Sequence, residues 1–363
     1  MNISAVLKKF GIENYEMKPL GNGLINKTWH IHEISSGNDF VFQQINEKIF
    51  KCPEHITFNI RLIDNYLKKG YPEYYFTSPV VALNGNDVVR TEDNDYYRLF
   101  SYVRGSVTHT ELTKPVQACE AAKQFGKFTK ILSGLDVSQL KISLPDFHNL
   151  ELRFQQFIES LKRADQHRLI QAREAINFLM DNLSIVEGYR IIINSSDFKL
   201  RVTHHDTKIS NVLFDSVDKG LCVIDLDTVM PGYFISDLGD MMRTYLSPVS
   251  EEEIDLSKVE VRPEFFQAII QGYLSEMGNK LTNAEKSSIF YAGKFMIYMQ
   301  ALRFITDYLN NDTYYGARYE GHNLVRGNNQ VKLLQLYLNS ESLFEYIISD
   351  TVKSLNSKLI YEN

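Results

Sequence analysis

Three cysteines in 363 residues, at Cys52, Cys119 and Cys222, are too few and too scattered for a disulfide framework or a CxxC metal site. Nowhere is there a run of about 18 apolar residues, so no transmembrane helix is expected. The opening stretch MNISAVLKKFGIENYEMKPL lacks the apolar core of a secretory signal. A reducing cytoplasm is the expected location. The net charge of −6 is spread without large blocks of one sign, so no nucleic-acid surface is expected, although a local basic pocket for phosphate is compatible with it. Internal repeats and low-complexity tracts are also missing. What remains is a chain with ordinary globular composition, 44% hydrophobic and 23% charged, long enough for two lobes with a core each. Its 22 phenylalanines and 21 tyrosines are expected mainly in those cores.

The patterning changes along the chain. From Tyr15 to Tyr102, short β-branched and aromatic segments (MKPLGN, INKTWHIHEI, DFVFQQI, SPVVAL, DVVR, DYYRLFSYV) read as strands. One helix interrupts them, Pro53 to Lys69, with Ile56, Ile60, Ile63 and Leu67 on one face and a stop at Gly70. Beyond Val103-Arg104-Gly105 the pattern is helical over Val116–Leu132, Leu150–Arg163, Gln166–Leu183, Pro263–Met277, Asn283–Leu309 and Asn329–Ser357. Strand character returns only at Arg201-Val202, Asn211–Phe214 and Leu221–Ile224, the last two bracketing a turn as a β-hairpin. The expectation is an α+β chain: a small strand-rich lobe with one helix over residues 1–103 and a larger, mainly helical lobe over 104–363. The acidic run Glu251-Glu252-Glu253 reads as a solvated helix start.

The segment VTHHDTKISNVLFDSVDKGLCVIDLD, Val202 to Asp227, carries the chemistry. Asp206 and Asn211 lie on one loop, and Asp225 ends the second strand of the hairpin, which returns it beside Asn211. Phosphoryl transfer needs such a set. Asp206 accepts a hydrogen bond from the acceptor hydroxyl and takes its proton, Asn211 and Asp225 hold Mg²⁺ on the nucleotide phosphates, and Lys208 stabilises charge on the transferring group. His204 braces the loop. Asp227 is either a second metal or substrate carboxylate or a turn cap before Met230-Pro231-Gly232. Asp237 and Asp240, flanking Leu238-Gly239, read as helix-start caps, with Arg243 pairing one of them.

These words resemble the aminoglycoside phosphotransferase/choline kinase-like branch of the protein-kinase-like fold. THHDTKISNVLF, CVIDLDTVMPG, DLGDMMR, RFITDYLNNDTYY, HNLVR, GNGLIN and FVFQQINEKIFK are similar, more narrowly, to its N-acetylhexosamine 1-kinase subfamily, and the resemblance runs from about Gly21 to Arg326. It implies a bilobal kinase that uses ATP and Mg²⁺ to phosphorylate the anomeric hydroxyl of a small-molecule sugar. Gly21, Gly23 and Asn26 would let the backbone approach nucleotide phosphates. Strand FVFQQI offers Gln43 (or Gln44) where a protein kinase carries a lysine. Phe100 and Tyr102 stand where an adenine-binding linker belongs. The resemblance further implies that Arg303 and Tyr314 face the sugar, with His322 and Arg326 as weaker candidates. The alternatives are a kinase for choline, homoserine or an aminoglycoside, and, because the strand lysine is missing, a catalytically inactive nucleotide-binding module.

Overall fold

Alternation along the first strands sorts two faces. The computed structural model describes residues 3–21 and 25–361. Helix α1 (Ile3–Lys9) precedes β1 (Tyr15–Pro19), β2 (Lys27–Glu33) and β3 (Asp39–Ile45); α2 (Pro53–Gly70) then intervenes before β4 (Val89–Arg90) and β5 (Tyr96–Ser101). The antiparallel sheet runs β1-β2-β3-β5-β4. Ile31, Phe42, Tyr97 and Leu99 point to one side and bury Val6 and Leu7 of α1 in a small core. The period of two sends Thr28, Gln43 and Arg98 to the other side, in register across β2, β3 and β5. Segment SPVVAL, expected as a strand, contributes only an isolated bridge, Pro79 to Phe100. Proline has no N–H to extend the ladder.

After β5 come α3 (Pro115–Ile131), α4 (Leu150–Arg163), α5 (Gln166–Gln171), α6 (Arg173–Asp181) and α7 (Ser184–Asn194). Four short strands follow, β6 (Arg201–Thr203), β7 (Val212–Phe214), β8 (Gly220–Val223) and β9 (Met230–Gly232); β7 and β8 form the expected hairpin, and β6 pairs with β9. The chain closes with α8 (Phe234–Tyr245), α9 (Pro263–Met277), α10 (Asn283–Ser287), α11 (Ile289–Leu309), α12 (His322–Asn339) and α13 (Glu341–Tyr361). Three of these helices, α5, α10 and α12, end in short breaks where the sequence pattern reads straight on, at Ala172, Ser288 and Ser340. Helix α10, which precedes the second break, opens with a capping box of Thr282 and Glu285, and Glu285 also takes a two-pronged ion pair from Arg201 at 2.5 and 2.9 Å. That pair ties β6 to α10. No helix among the described residues is long and apolar enough to cross a membrane.

Helix α2 does not pack as a possession of the small sheet. Its stripe of Ile56, Ile60, Ile63 and Leu67 joins the large core together with Phe125 and Phe128 of α3. Asn59 on α2 donates to the carbonyls of Lys141 (2.8 Å) and Val229 (3.0 Å) and accepts the Lys141 N–H (2.8 Å). At the centre of the large core lies α11, buried on nearly all sides. Its tyrosines stay there by using their hydroxyls: Tyr298 donates to the Leu179 carbonyl at 2.8 Å.

Two glycines permit the closest helix approaches. A Cβ at Gly239 of α8 would collide with the Ala292 carbonyl oxygen of α11, and one at Gly272 of α9 with the Cys119 carbonyl oxygen of α3. Both obstacles are backbone, which cannot rotate away. Gly239→Ala is expected to destabilise the protein by about 3 kcal/mol, near the upper end for overpacking, read as a lowered urea midpoint with an unchanged slope. A midpoint within error of wild type would show that α8 and α11 separate freely.

Candidate active site

The loop after β6 is held from below by α8. Both oxygens of Asp237 accept backbone N–H groups, from His204 at 3.0 Å and His205 at 2.7 Å. Asp240 accepts the Thr207 N–H at 2.8 Å, and the Thr207 hydroxyl donates to the Asp237 carbonyl at 2.8 Å. Tyr245 donates from its hydroxyl to the Thr207 carbonyl at 2.5 Å. The two aspartates therefore do not cap their own helix, as the sequence suggested, but brace the neighbouring loop. Burial pushes the Asp237 carboxyl up to about 7 despite those donors, and Asp240 is also raised, chiefly by burial. Arg243 answers this charge as expected, at 3.0 Å from Asp240, and also reaches Glu251 at 2.8 Å. Glu251 in turn meets Arg326 at 2.5 Å, so the acidic run is no solvated helix start. Its first residue belongs to an ion-pair chain running from the loop to α12.

His204 sits edge-on to Phe125 (5.1 Å between ring centres) and takes both its nitrogens into loop contacts, Nε2 with the Ile224 carbonyl (2.9 Å) and Nδ1 with the Asp206 N–H (3.3 Å). Accepting at Nδ1 and donating at Nε2 makes it neutral, and burial lowers its pKa. His205 adopts a left-handed backbone, φ 66°, which turns the chain sharply before Asp206.

Asp206, Lys208 and Asn211 converge. Lys208 Nζ lies 2.9 Å from Asp206 Oδ2, and the Asn211 amide donates to that same oxygen at 3.0 Å and to the Asp206 carbonyl at 2.9 Å. Burial raises the Asp206 pKa, but Lys208 and the Asn211 amide outweigh it and hold the carboxyl below its ordinary value. Its side chain is 27% exposed, open enough for a hydroxyl to reach. Asp225 stands at the end of the hairpin with φ 60°, beside Asn211 through the Ile224 N–H to Asn211 carbonyl bond of 2.9 Å. Although its side chain opens to the cleft, the surrounding protein and then the carboxylates of Asp227 and Asp206 push its pKa up to about 7. An excess of carboxylate charge of this kind fits a divalent cation. Asn211 has its amide hydrogens on Asp206, leaving its oxygen as the atom to offer such an ion. No cluster of three or more His, Cys, Asp or Glu among the described residues forms a closed metal cage. Two protein oxygens completed by phosphate and water suit Mg²⁺, which keeps much of its hydration.

Above the loop, the cleft face of the small sheet holds Thr28, Gln43, Arg98 and Phe100. Gln43 donates to the Thr28 hydroxyl at 3.2 Å and accepts from Arg98 Nε at 3.0 Å, while Gln44 faces away and donates to Asp95 at 2.8 Å. Arg98 is 1% exposed and meets Asp227 at 2.5 Å; Asn26 donates to the other Asp227 oxygen at 2.7 Å. Asp227 is here the partner of a buried arginine. Asn26 also accepts the Asn46 N–H at 3.0 Å, so both ends of its amide are engaged within the protein. Gly21 has φ 71° and no atom near its missing Cβ, which leaves its backbone approachable; Gly23 lies outside the described residues. Phe100 lies beneath the Arg98 guanidinium at 5.1 Å. Tyr102 gives its N–H to the Asp39 carbonyl at 2.9 Å and packs edge-on against His30. That N–H is therefore committed to the sheet, and only ring and carbonyl remain for a ligand.

Arg303 and Tyr314 come together as expected, guanidinium to hydroxyl at 3.4 Å, on a cavity of about 320 Å³ also lined by Arg153, Thr306, Asp307 and Tyr315. Asp307 organises it by accepting the N–H groups of Tyr314 (2.7 Å) and Tyr315 (2.9 Å). Neither Arg303 nor Tyr314 touches Asp206. A relay of rings spans the gap: Arg303 lies 5.6 Å over Phe147, Phe147 stacks on His148 at 4.4 Å, and His148 meets His205 at 5.2 Å. Arg153 donates to the Gln156 side chain and the Asp146 carbonyl, and Arg303 to Gln300 and Tyr314, all neutral acceptors. His322 is buried, and Arg326 lies 3.8 Å over Phe304 and 5.1 Å over Tyr315. Arg326 therefore supports the cavity wall through Tyr315, whereas His322 packs on Tyr319 away from it.

Sequence reasoning missed Arg98, Asp307, Arg153 and the Phe147-His148 pair. For Arg98 a signal existed, a lone arginine inside the apolar strand YYRLFS, but its partners lie far away in sequence.

Comparison with known proteins agrees with this architecture. Spectinomycin phosphotransferase in complex with ADP and spectinomycin superposes with a TM-score of 0.59 at 14% identity, covering 94% of this chain and 98% of the other. A microcompartment-associated aminopropanol kinase gives 0.60 at 16%, covering 94% and 97%. Choline kinase from Cryptosporidium parvum Iowa II gives 0.55 at 16%, covering 99% of each. The small antiparallel sheet with a larger helical region is the kinase-like fold of these structures. The model of the phosphotransferase enzyme family APH matches residues 16–279, nearly three quarters of the sequence, and the chain belongs to that family.

Proposed function

We propose that the protein is an ATP- and Mg²⁺-dependent kinase that phosphorylates the anomeric hydroxyl of an N-acetylhexosamine by direct in-line transfer. The observation that carries the reading is the convergence of Lys208 and Asn211 on one oxygen of a solvent-reachable Asp206. In this reading residues 1–103 hold the nucleotide, through Gly21, Gly23, Asn26, Gln43, Phe100 and Tyr102, and residues 104–363 carry the catalytic and acceptor groups. Mg²⁺ on Asn211 and Asp225 would neutralise charge on the β- and γ-phosphates. Asp206 aligns the acceptor hydroxyl. As the new O–P bond forms and the bond to the ADP oxygen breaks, the hydroxyl proton passes to Asp206 Oδ. A carboxylate with a depressed pKa is a weak base, which suits a loose transition state in which the proton moves late.

The cavity speaks for the acceptor class. Arg153 and Arg303 both line it, and burial together with the charge of Arg303 lowers the Arg153 pKa. Among the charged groups of the lining, Arg163 pairs with Glu159 and Asp307 is taken up by backbone N–H groups, so Arg153 and Arg303 are left with neutral partners, which disfavours choline, an aminoglycoside or another cationic alcohol. A neutral sugar is compatible: its acetamido carbonyl and hydroxyls accept from arginine, and its ring face packs on Tyr314 or Tyr315. Spectinomycin phosphotransferase and choline kinase share the fold, and the arginines of this cavity are what favours an uncharged acceptor over theirs.

Phosphorus NMR of reactions with N-acetylglucosamine and N-acetylgalactosamine is expected to show a product resonance coupled to H1. Choline as the preferred acceptor, or a product phosphorylated at O6, would overturn the assignment. Asp206→Asn should lower kcat by about 10³-fold while ADP affinity stays within about threefold; near-normal turnover would exclude Asp206 as the base. Lys208→Met removes the cation that holds the Asp206 pKa down. The acid limb of kcat/KM should therefore move to higher pH, alongside a drop in kcat of roughly 10- to 100-fold. An acid limb that stayed in place, or moved to lower pH, would mean that Lys208 does not act through Asp206.

A further inference from the structure

In protein kinases a lysine on the third strand reaches the nucleotide phosphates and pairs with a helix glutamate. Here β3 carries Gln43 at the cleft-facing position. Directly across the ladder stands Arg98, one strand over, with its Nε on the Gln43 oxygen at 3.0 Å and its Nη2 on Asp227 at 2.5 Å. Its remaining nitrogen, Nη1, is buried and has no hydrogen-bond partner. An arginine N–H stripped of water and left without an acceptor is costly, so a site that keeps one is built for an acceptor that arrives later. The face on which Arg98 lies also carries Thr28, Gln43 and Phe100, and its partner Asp227 lies two residues beyond Asp225.

We propose that Arg98 is the phosphate-contacting cation of this kinase, supplied from β5 in place of a β3 lysine and clamped by Asp227 in place of a helix glutamate. The inference rests on the nucleotide-binding reading of the cleft. Charge supports it independently: Asp206 and Asp225 act on Lys208 and Asp227 lies beside Asp225, and a triphosphate entering such a cluster needs a second fixed cation on the sheet side. The guanidinium has the right form, because two of its edges can be held by Gln43 and Asp227 while the third stays available to a phosphate oxygen. The amide at position 43 then has a purpose. Its oxygen orients the arginine, and a lysine there would repel it.

The test compares ADP with adenosine, which lacks phosphate, by titration calorimetry on the full chain. Arg98→Gln is expected to weaken ADP binding by about 10- to 100-fold and adenosine binding by less than about twofold. The double variant Gln43→Lys/Arg98→Gln, which returns the cation to β3, should recover most of the ADP affinity. Should Arg98→Gln not fold, Arg98→Lys serves the same comparison, with a smaller loss still confined to ADP. Unchanged ADP affinity, or equal losses for ADP and adenosine, would make Arg98 a structural pin between sheet and hairpin and overturn the proposal. Adenosine and ADP both failing to bind the wild-type chain would instead remove the nucleotide reading on which it rests.

Discussion

Asp237 receiving two successive backbone N–H groups is the constraint on which the site depends. The loop from His204 to Lys208 has no regular structure to hold it, and His205 is in a conformation that L-residues rarely choose. Without an external partner its N–H groups would be buried donors lacking acceptors. A carboxylate from the first turn of α8 supplies both bonds, at about 1.5–3 kcal/mol each for a charged acceptor. Burying that charge costs enough to push the Asp237 pKa to about 7. The helix N-terminus offsets part of the cost, and Arg243 neutralises the second carboxylate, Asp240. The position of Asp206 is thereby tied to the seat of α8 against α11, and that seat exists because Gly239 has no side chain.

A second balance runs across the cleft. Three carboxylates, Asp206, Asp225 and Asp227, face two fixed cations, Lys208 and Arg98. Each cation is bonded to one of the other carboxylates, and at Asp225 burial, followed by the charges of Asp227 and Asp206, outweighs the pull of Lys208 and Arg98 and raises the pKa. The local excess is what a divalent ion would relieve, and it explains how a site with only two protein ligands could attract one. Arg98–Asp227 also spans from the sheet to the hairpin, so the same ion pair that fixes charge fixes the approach of the two units.

Much of this was legible in the sequence, for identifiable reasons. Helices α2, α4 and α9 announce themselves because an apolar stripe repeats at helical spacing and ends at Gly, Ala or Gly. The hairpin reads from two apolar runs around Asp215–Gly220, and the loop chemistry reads because Asp206, Lys208 and Asn211 are neighbours in the chain. What could not be read was anything that needs register or packing. Arg98 meets Gln43 only once β3 and β5 are aligned, 55 residues apart. Asp237 and Asp240 looked like caps because local sequence cannot reveal that a loop 30 residues earlier lies against them. No Gly or Pro stands at either break, Ala172 or Ser288, and just before the second Glu285 reaches Arg201, a partner far away in sequence. SPVVAL departs in the opposite direction: its β propensity is real, but Pro79 stands at the pairing position and has no N–H to extend the ladder.

With the acceptor placed at Arg303 and Tyr314 as proposed, its recognition groups would stand apart from the loop that carries Asp206. Between Arg303 and Asp206 lie Phe147, His148 and His205, in contact ring to ring. Burial, then His205 and Arg303, push the His148 pKa well down, and burial brings His205 to about 4, so both imidazoles are neutral at physiological pH. A charged imidazole in this row would repel the arginines on one side, and as a donor at both nitrogens it would ask for acceptors the site does not offer. Neutral rings instead transmit position: they set the distance between the cationic cavity and the base as rigid, polarisable spacers. In the reading proposed above, that wall fixes how far an acceptor seated at Arg303 and Tyr314 must reach to present its hydroxyl to Asp206, so acceptor length would be selected by packing and acceptor charge by the arginines.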